Sequence, residues 1–118
     1  TATLGSNTRL DTNKKIVFIE EVGEHKYHID RQLQSLKRAG YFDHCAGVII
    51  GDMSKISINT PAWGQSIETL ILDILKDCNI PVVFGFPAGH ELENRALYFG
   101  RTIQLNVTKS KTRVSFID

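Results

Sequence analysis

The chain has 118 residues, 42% of them hydrophobic and 23% charged, with a net charge of +1. That length fits one domain, and that composition fits an ordinary globular fold. The near-neutral balance argues against nucleic-acid binding, because residues 109–113 carry the densest positive cluster and a solvated hairpin turn explains it.

No apolar stretch approaches the roughly 20 residues needed to span a bilayer. No signal peptide precedes the domain, and Thr1-Ala-Thr-Leu-Gly does not look like a natural start. Cys45 and Cys78 form neither a disulfide framework nor a metal motif. The default expectation is a reduced, cytoplasmic protein without metal or membrane.

Residues 1–14 are polar and turn-rich and read as a linker entering the domain. Residues 15–19 are apolar without alternation, which predicts a strand buried on both faces. Gly23 breaks that pattern. A helix then fits residues 27–39, with Ile29, Leu33 and Leu36 on one face and Gly40 as its stop signal. Ala46-Gly-Val-Ile-Ile-Gly51 predicts a second buried strand, and residues 52–65 a long loop. A second helix carries Ile67, Leu70, Ile71, Ile74 and Leu75 at helical spacing. Residues 80–84 predict a third buried strand. Beyond His90 the pattern becomes alternating: Ile103, Leu105 and Val107, then Val114 and Phe116 after a Lys-Ser-Lys turn, read as antiparallel strands. The fold class is a mixed α/β domain, with a right-handed parallel βαβαβ core and a small antiparallel C-terminal layer.

Sites in open parallel sheets gather outside the carboxyl ends of the strands. Glu20 follows the first apolar run, Asp52 the second, and His90 the third after a Pro-Ala-Gly turn. A carboxylate that accepts a hydrogen bond from an imidazole fixes its tautomer and leaves the other nitrogen as a general base. The bland alternative is that Glu20 and His90 are solvated loop residues near strand ends.

No nucleophile accompanies them. There is no Gly-x-Ser-x-Gly elbow. Cys45 and Cys78 precede their strands, at the opposite sheet edge, and read as small buried hydrophobes. Ser54 is the only hydroxyl close behind a strand on the correct edge, and nothing around it suggests a strained turn. His25 and His28, with Glu21 and Glu24 nearby, lack a third metal ligand and read as an exposed helix start, where acidic residues suit the dipole. Tyr27 reads as a packing residue. Trp63 is either a core aromatic or a cover for a ligand, and its loop's place on the functional edge favours the second.

The stretch Ile16-Val-Phe-Ile-Glu-Glu-Val-Gly-Glu-His-Lys-Tyr-His-Ile-Asp-Arg31 resembles the LD-carboxypeptidases, the murein tetrapeptide carboxypeptidases. Leu33-x-x-Leu36-x-x-Ala39-Gly40, Gly47-Val-Ile-Ile-Gly51, Ile80-Pro-Val and Gly85-Phe-Pro-Ala-Gly-His90 continue the resemblance, as do Leu4-Gly-Ser and Asp11-Thr. It implies a swivelling β/β/α domain over residues 15–118, the C-terminal part of a two-domain serine peptidase, with residues 1–14 in the interdomain segment. By position, the family glutamate falls on Glu20 and the histidine on His90. The serine and its oxyanion hole would belong to an N-terminal domain missing from this chain, so the chain alone is expected to be inactive. The implied reaction is release of terminal D-alanine from murein tetrapeptide during cytoplasmic peptidoglycan recycling, by a homodimer without cofactor.

Two rivals remain. Microcin-immunity peptidases resemble this family and cleave aminoacyl-nucleotides, for which Trp63 offers a stacking surface. A non-catalytic binding domain would keep the fold without the chemistry.

Overall fold

The computed structural model describes residues 1–57 and 64–117. Three apolar segments pair in parallel in the order β1 (Ile16–Val22), β2 (Gly47–Ser54), β3 (Val82–Val83), so β2 is central. Its first five residues are buried, as expected of a strand flanked on both sides and covered on both faces. A separate antiparallel hairpin joins β4 (Ile103–Val107) to β5 (Thr112–Phe116), with Leu105 opposite Val114.

Two helices cover one face of the parallel sheet. Helix α1 (Lys26–Arg38) buries Ile29 and Leu33, and α2 (Ile67–Leu75) buries Leu70, Ile71, Ile74 and Leu75. These side chains meet Val48 and Ile50 of β2, and Phe42, in one core. Each fully buried aliphatic chain contributes about 1.5–3 kcal/mol by removal from water. The Ser66 hydroxyl caps α2 by accepting the Thr69 amide at 3.1 Å. Gly40, at φ +80°, ends α1 in the left-handed region that glycine adopts at least cost.

Strand alternation sends Phe18 and Ile49 to the other face. Phe18 meets Phe86 and Phe99 edge to face, with ring centroids 6.3 and 5.9 Å apart. A cavity of about 360 Å³ opens between this face and the hairpin, lined by Phe18, Ile49, Tyr98, Phe99, Ile103 and Phe116. The layers are therefore helices, parallel sheet and hairpin. No helix among the described residues is long and apolar enough to cross a membrane.

Four sequence expectations change. Strand β1 is half-buried throughout rather than buried on both faces, because it lies at the sheet edge. It also runs beyond residue 19, so Glu20 and Glu21 are strand residues. Likewise β2 runs through Asp52 to Ser54, three residues expected in the loop. The third strand shrinks from residues 80–84 to Val82–Val83. Pro81 has no amide to donate, and Gly85 turns the backbone to φ +69°.

Residues 1–14 contain no helix or strand. They lie against the loop after α1: the Leu10 amide donates to Tyr41 Oη, Thr12 Oγ1 to the Tyr41 carbonyl, and the Lys14 amide to the His44 carbonyl.

Candidate active site

Although 70 positions separate Glu20 from His90, the His90 Nδ1 and Glu20 Oε2 atoms are 3.2 Å apart. The parallel sheet explains this closure. Strand β2 forms hydrogen bonds with residues 81–88 well beyond the two-residue β3. Its Val48 amide donates to the Pro81 carbonyl, the Phe86 amide to the Ile50 carbonyl, and the Asp52 amide to the Ala88 carbonyl. The segment is thus carried along β2 to its carboxyl end, where His90 emerges.

On the other side, β1 delivers Glu20. The β1–β2 register is Ile19↔Ile50 and then Glu21↔Met53, which puts one extra residue on β2. Glu20 sits at this irregularity, opposite residues 51 and 52. Bulges of this kind re-aim side chains at sheet ends.

Asp52 stands between the two strands' products. Its Oδ2 accepts the backbone amides of His90 at 3.0 Å and Glu91 at 2.7 Å. Asn94 holds the same turn from the other end: its Nδ2 donates to the Gly89 carbonyl at 2.8 Å, and its Oδ1 accepts the Gly89 amide at 3.3 Å. The sequence pattern places Asp52 at this edge without a role and gives no sign of Asn94. Only the fold of the 89–94 turn gives Asn94 its partner.

The His90 side chain is 53% exposed and that of Glu20 32%, so the pair is reachable by an incoming group. Among the described residues no hydrogen bond is made to His90 Nε2. An imidazole held through Nδ1 with Nε2 open can take and return a proton.

The remaining expected residues are placed less centrally. Ser54 is buried, pairs with Val22, and its Oγ has no hydrogen-bond partner among the described residues, His90 included. Cys45 is buried against the Phe42 carbonyl, and burial pushes its thiol above the ordinary value, which suits an inert core residue. Trp63 lies outside the described residues. Among those described, no group of three or more His, Cys, Asp or Glu is arranged to hold a metal ion.

The His25–His28 segment forms a surface cluster. Tyr27 stacks on His25, meets His28 at 4.2 Å between centroids, and carries the Arg31 guanidinium at 5.5 Å. Tyr27 therefore packs, but against neighbouring surface rings rather than the core. Glu24 lies just before the helix cap and not in its first turn, which contains no acidic residue. Instead its carboxylate lies 2.6 Å from His28 Nδ1.

That hydrogen bond, with a smaller contribution from the His25 amide, holds the Glu24 carboxyl below the ordinary glutamate range. A depressed folded value adds stability above the unfolded value of about 4.3, and the gain is lost as pH falls through the lower folded value. His28→Ala is therefore expected to raise the Glu24 titration midpoint and to weaken the acid-side pH dependence of stability. Carboxyl ¹³C titration checks this; an unmoved midpoint would contradict it.

The profile of the LD-carboxypeptidase C-terminal domain family matches residues 1–105, which include both Glu20 and His90. A Bacillus subtilis (strain 168) protein described as "probable murein peptide carboxypeptidase" is 32% identical over 114 residues, 97% of this chain and 35% of that protein. The chain thus spans about a third of the length of such relatives. The crystal structure of muramoyltetrapeptide carboxypeptidase from Oxalobacter formigenes superposes with a TM-score of 0.88 at 24% identity, over 99% of this chain and 41% of that one. Microcin C7 self immunity protein MccF, in complex with aspartyl sulfamoyl adenosine, superposes with a TM-score of 0.62 at 23% identity, over 72% of this chain and 25% of that one. At these identities the two structures establish the fold. The match over residues 1–105 establishes the family: this chain belongs to the LD-carboxypeptidase C-terminal domain family.

Proposed function

We propose that this domain supplies the base and its orienting carboxylate to a serine-type LD-carboxypeptidase that releases terminal D-alanine from murein tetrapeptide. The observation that carries the reading is the hydrogen bond between His90 Nδ1 and Glu20 Oε2, with no hydrogen bond to Nε2 among the described residues. The nucleophile would be a serine outside this chain, in the part of such relatives' length that the chain does not span. Ser54 is unsuited to the role because its hydroxyl is buried and makes no hydrogen bond to the imidazole.

In the proposed reaction His90 Nε2 takes the serine proton as the oxygen attacks the amide carbonyl. The imidazolium formed is stabilised by Glu20, and it then protonates the leaving amine of D-alanine. Water, deprotonated by the same nitrogen, cleaves the acyl-enzyme and restores the serine. None of these steps uses a cofactor. The setting we propose is cytoplasmic peptidoglycan recycling by a homodimer.

The test is D-alanine release from murein tetrapeptide by the chain alone and by a form with its native upstream region restored. Activity only in the longer form supports a divided triad. Activity in the isolated chain would mean that a residue of this chain is the nucleophile, with Ser54 the candidate.

A second reading has a specific basis in the likeness to microcin C7 self immunity protein MccF. On that reading the substrate is an aminoacyl-nucleotide, and Trp63 is a candidate base-stacking residue. The carboxypeptidase reading is favoured because the 32% identical relative named for murein peptide spans nearly the whole chain. An aminoacyl-adenylate assay run beside the tetrapeptide assay separates the two. Inactivity on both by a folded longer form would favour a binding domain.

A further inference from the structure

We infer that Asp52 is a positioning residue for His90, acting through the backbone of the turn that carries the imidazole; the catalytic consequence rests on the reading just given. Its Oδ2 accepts two consecutive amides, those of His90 and Glu91, at 3.0 and 2.7 Å. One ionised oxygen receiving two amides makes charge-assisted bonds, stronger than neutral ones and demanding in direction. The Asp52 amide donates to the Ala88 carbonyl, so the same residue grips the chain on both sides of Gly89.

Asn94 completes the grip by pairing both its amide atoms with the backbone of Gly89. The approach is close: a Cβ on Gly89 would stand 2.3 Å from Asp52 Cβ. Four hydrogen bonds from two side chains, and a fifth through the Asp52 amide, thus define where residues 88–91 lie relative to β2.

The imidazole itself is half-exposed. Among the described residues its side-chain hydrogen bond is to Glu20, on β1. The backbone anchor on β2 therefore sets the distance across which the Glu20 bond forms. Asp52 is not assigned contact with substrate or with the reacting atoms.

The test has two arms. In the 118-residue chain, ¹H–¹⁵N spectra follow the His90 and Glu91 amides and the imidazole Nδ1. Asp52→Ala is expected to lower exchange protection of both amides by roughly tenfold to a hundredfold, the range for lost charge-assisted bonds. The Nδ1 signature of the bond to Glu20 is expected to weaken with it. Asp52→Asn keeps an acceptor oxygen and is expected to preserve most of both. Thermal unfolding of each variant reports that it has folded.

In the longer enzyme, Asp52→Ala is expected to lower kcat by about a hundredfold, as for a displaced catalytic group, with KM little changed. Asp52→Asn is expected to recover most of that loss. Unchanged protection and an unchanged Nδ1 signal in Asp52→Ala would overturn the inference. So would an Asp52→Asn variant as defective as the alanine, since acceptor geometry would then not be the agent. If the spectra change as expected while the wild-type enzyme releases no D-alanine, the positioning role stands and the carboxypeptidase reading falls.

Discussion

His90→Ala, placed in the longer enzyme we propose, is expected to lower kcat by about six orders of magnitude. Glu20→Gln is expected to lower it by about four. The difference follows from their proposed roles. His90 handles the proton in both halves of the reaction, whereas Glu20 only holds and balances it. Glutamine keeps an oxygen able to accept from Nδ1–H, but it brings no charge to offset the imidazolium. The double variant should be little worse than His90→Ala, because residues that act as one unit are not additive. Stability should barely change. The pair is 53% and 32% exposed, and exposed pairs contribute little to folding. Steady-state kinetics with thermal unfolding of the same samples would check both points. A loss of less than about tenfold in folded His90→Ala enzyme, against the loss expected of a triad member, would favour a binding domain.

The sequence made this pair visible because the parallel sheet converts distance along the chain into proximity. Three apolar runs separated by two amphipathic helices imply strands whose carboxyl ends share one edge, and the polar residue after each run then becomes a candidate. The helices were readable for the same reason. Their buried residues, Ile29 and Leu33, then Leu70, Ile71, Ile74 and Leu75, keep helical spacing.

What stayed hidden depends on partners rather than on pattern. Apolarity did not distinguish an edge strand from a central one, and β1 is the edge. The register irregularity at Glu20 arises from where β2 gains a residue, and neither strand's composition encodes it. Residues 80–84 are as apolar as a strand requires, yet Pro81 and Gly85 leave only Val82–Val83 in the ladder. Asp52 and Asn94 look like ordinary polar loop residues until the turn at Gly89 brings backbone amides to them.

The two glycines beside the site are expected to tolerate no side chain. Gly51→Ala would put a Cβ 2.5 Å from the Ala88 carbonyl oxygen and 2.7 Å from the Phe18 ring, inside the central strand. The carbonyl belongs to backbone that is itself bonded to the Asp52 amide, so it cannot swing away without breaking that bond. Gly89→Ala meets Asp52 Cβ at 2.3 Å and also carries φ +149°, a value an L side chain rarely adopts. Overpacking costs about 1–3 kcal/mol and a strained backbone residue about 1–3 kcal/mol more. Both losses are large against a total stability of about 5–15 kcal/mol. Gly64→Ala, whose Cβ would meet nothing within 4 Å among the described residues and which has no positive φ, is the matched control and should be close to neutral. Urea unfolding with unchanged slope and a lower midpoint for the first two, but not the third, is the expected result. The kinetic consequence should exceed the thermodynamic one. Relief of either clash moves residues 88–90 away from β2, and His90 moves with them, away from Glu20. A displacement of about 1 Å is enough to cost roughly a hundredfold in rate. A Gly89→Ala enzyme with full activity would mean that His90 is held by Glu20 alone and that close backbone approach at β2 has no part in placing it.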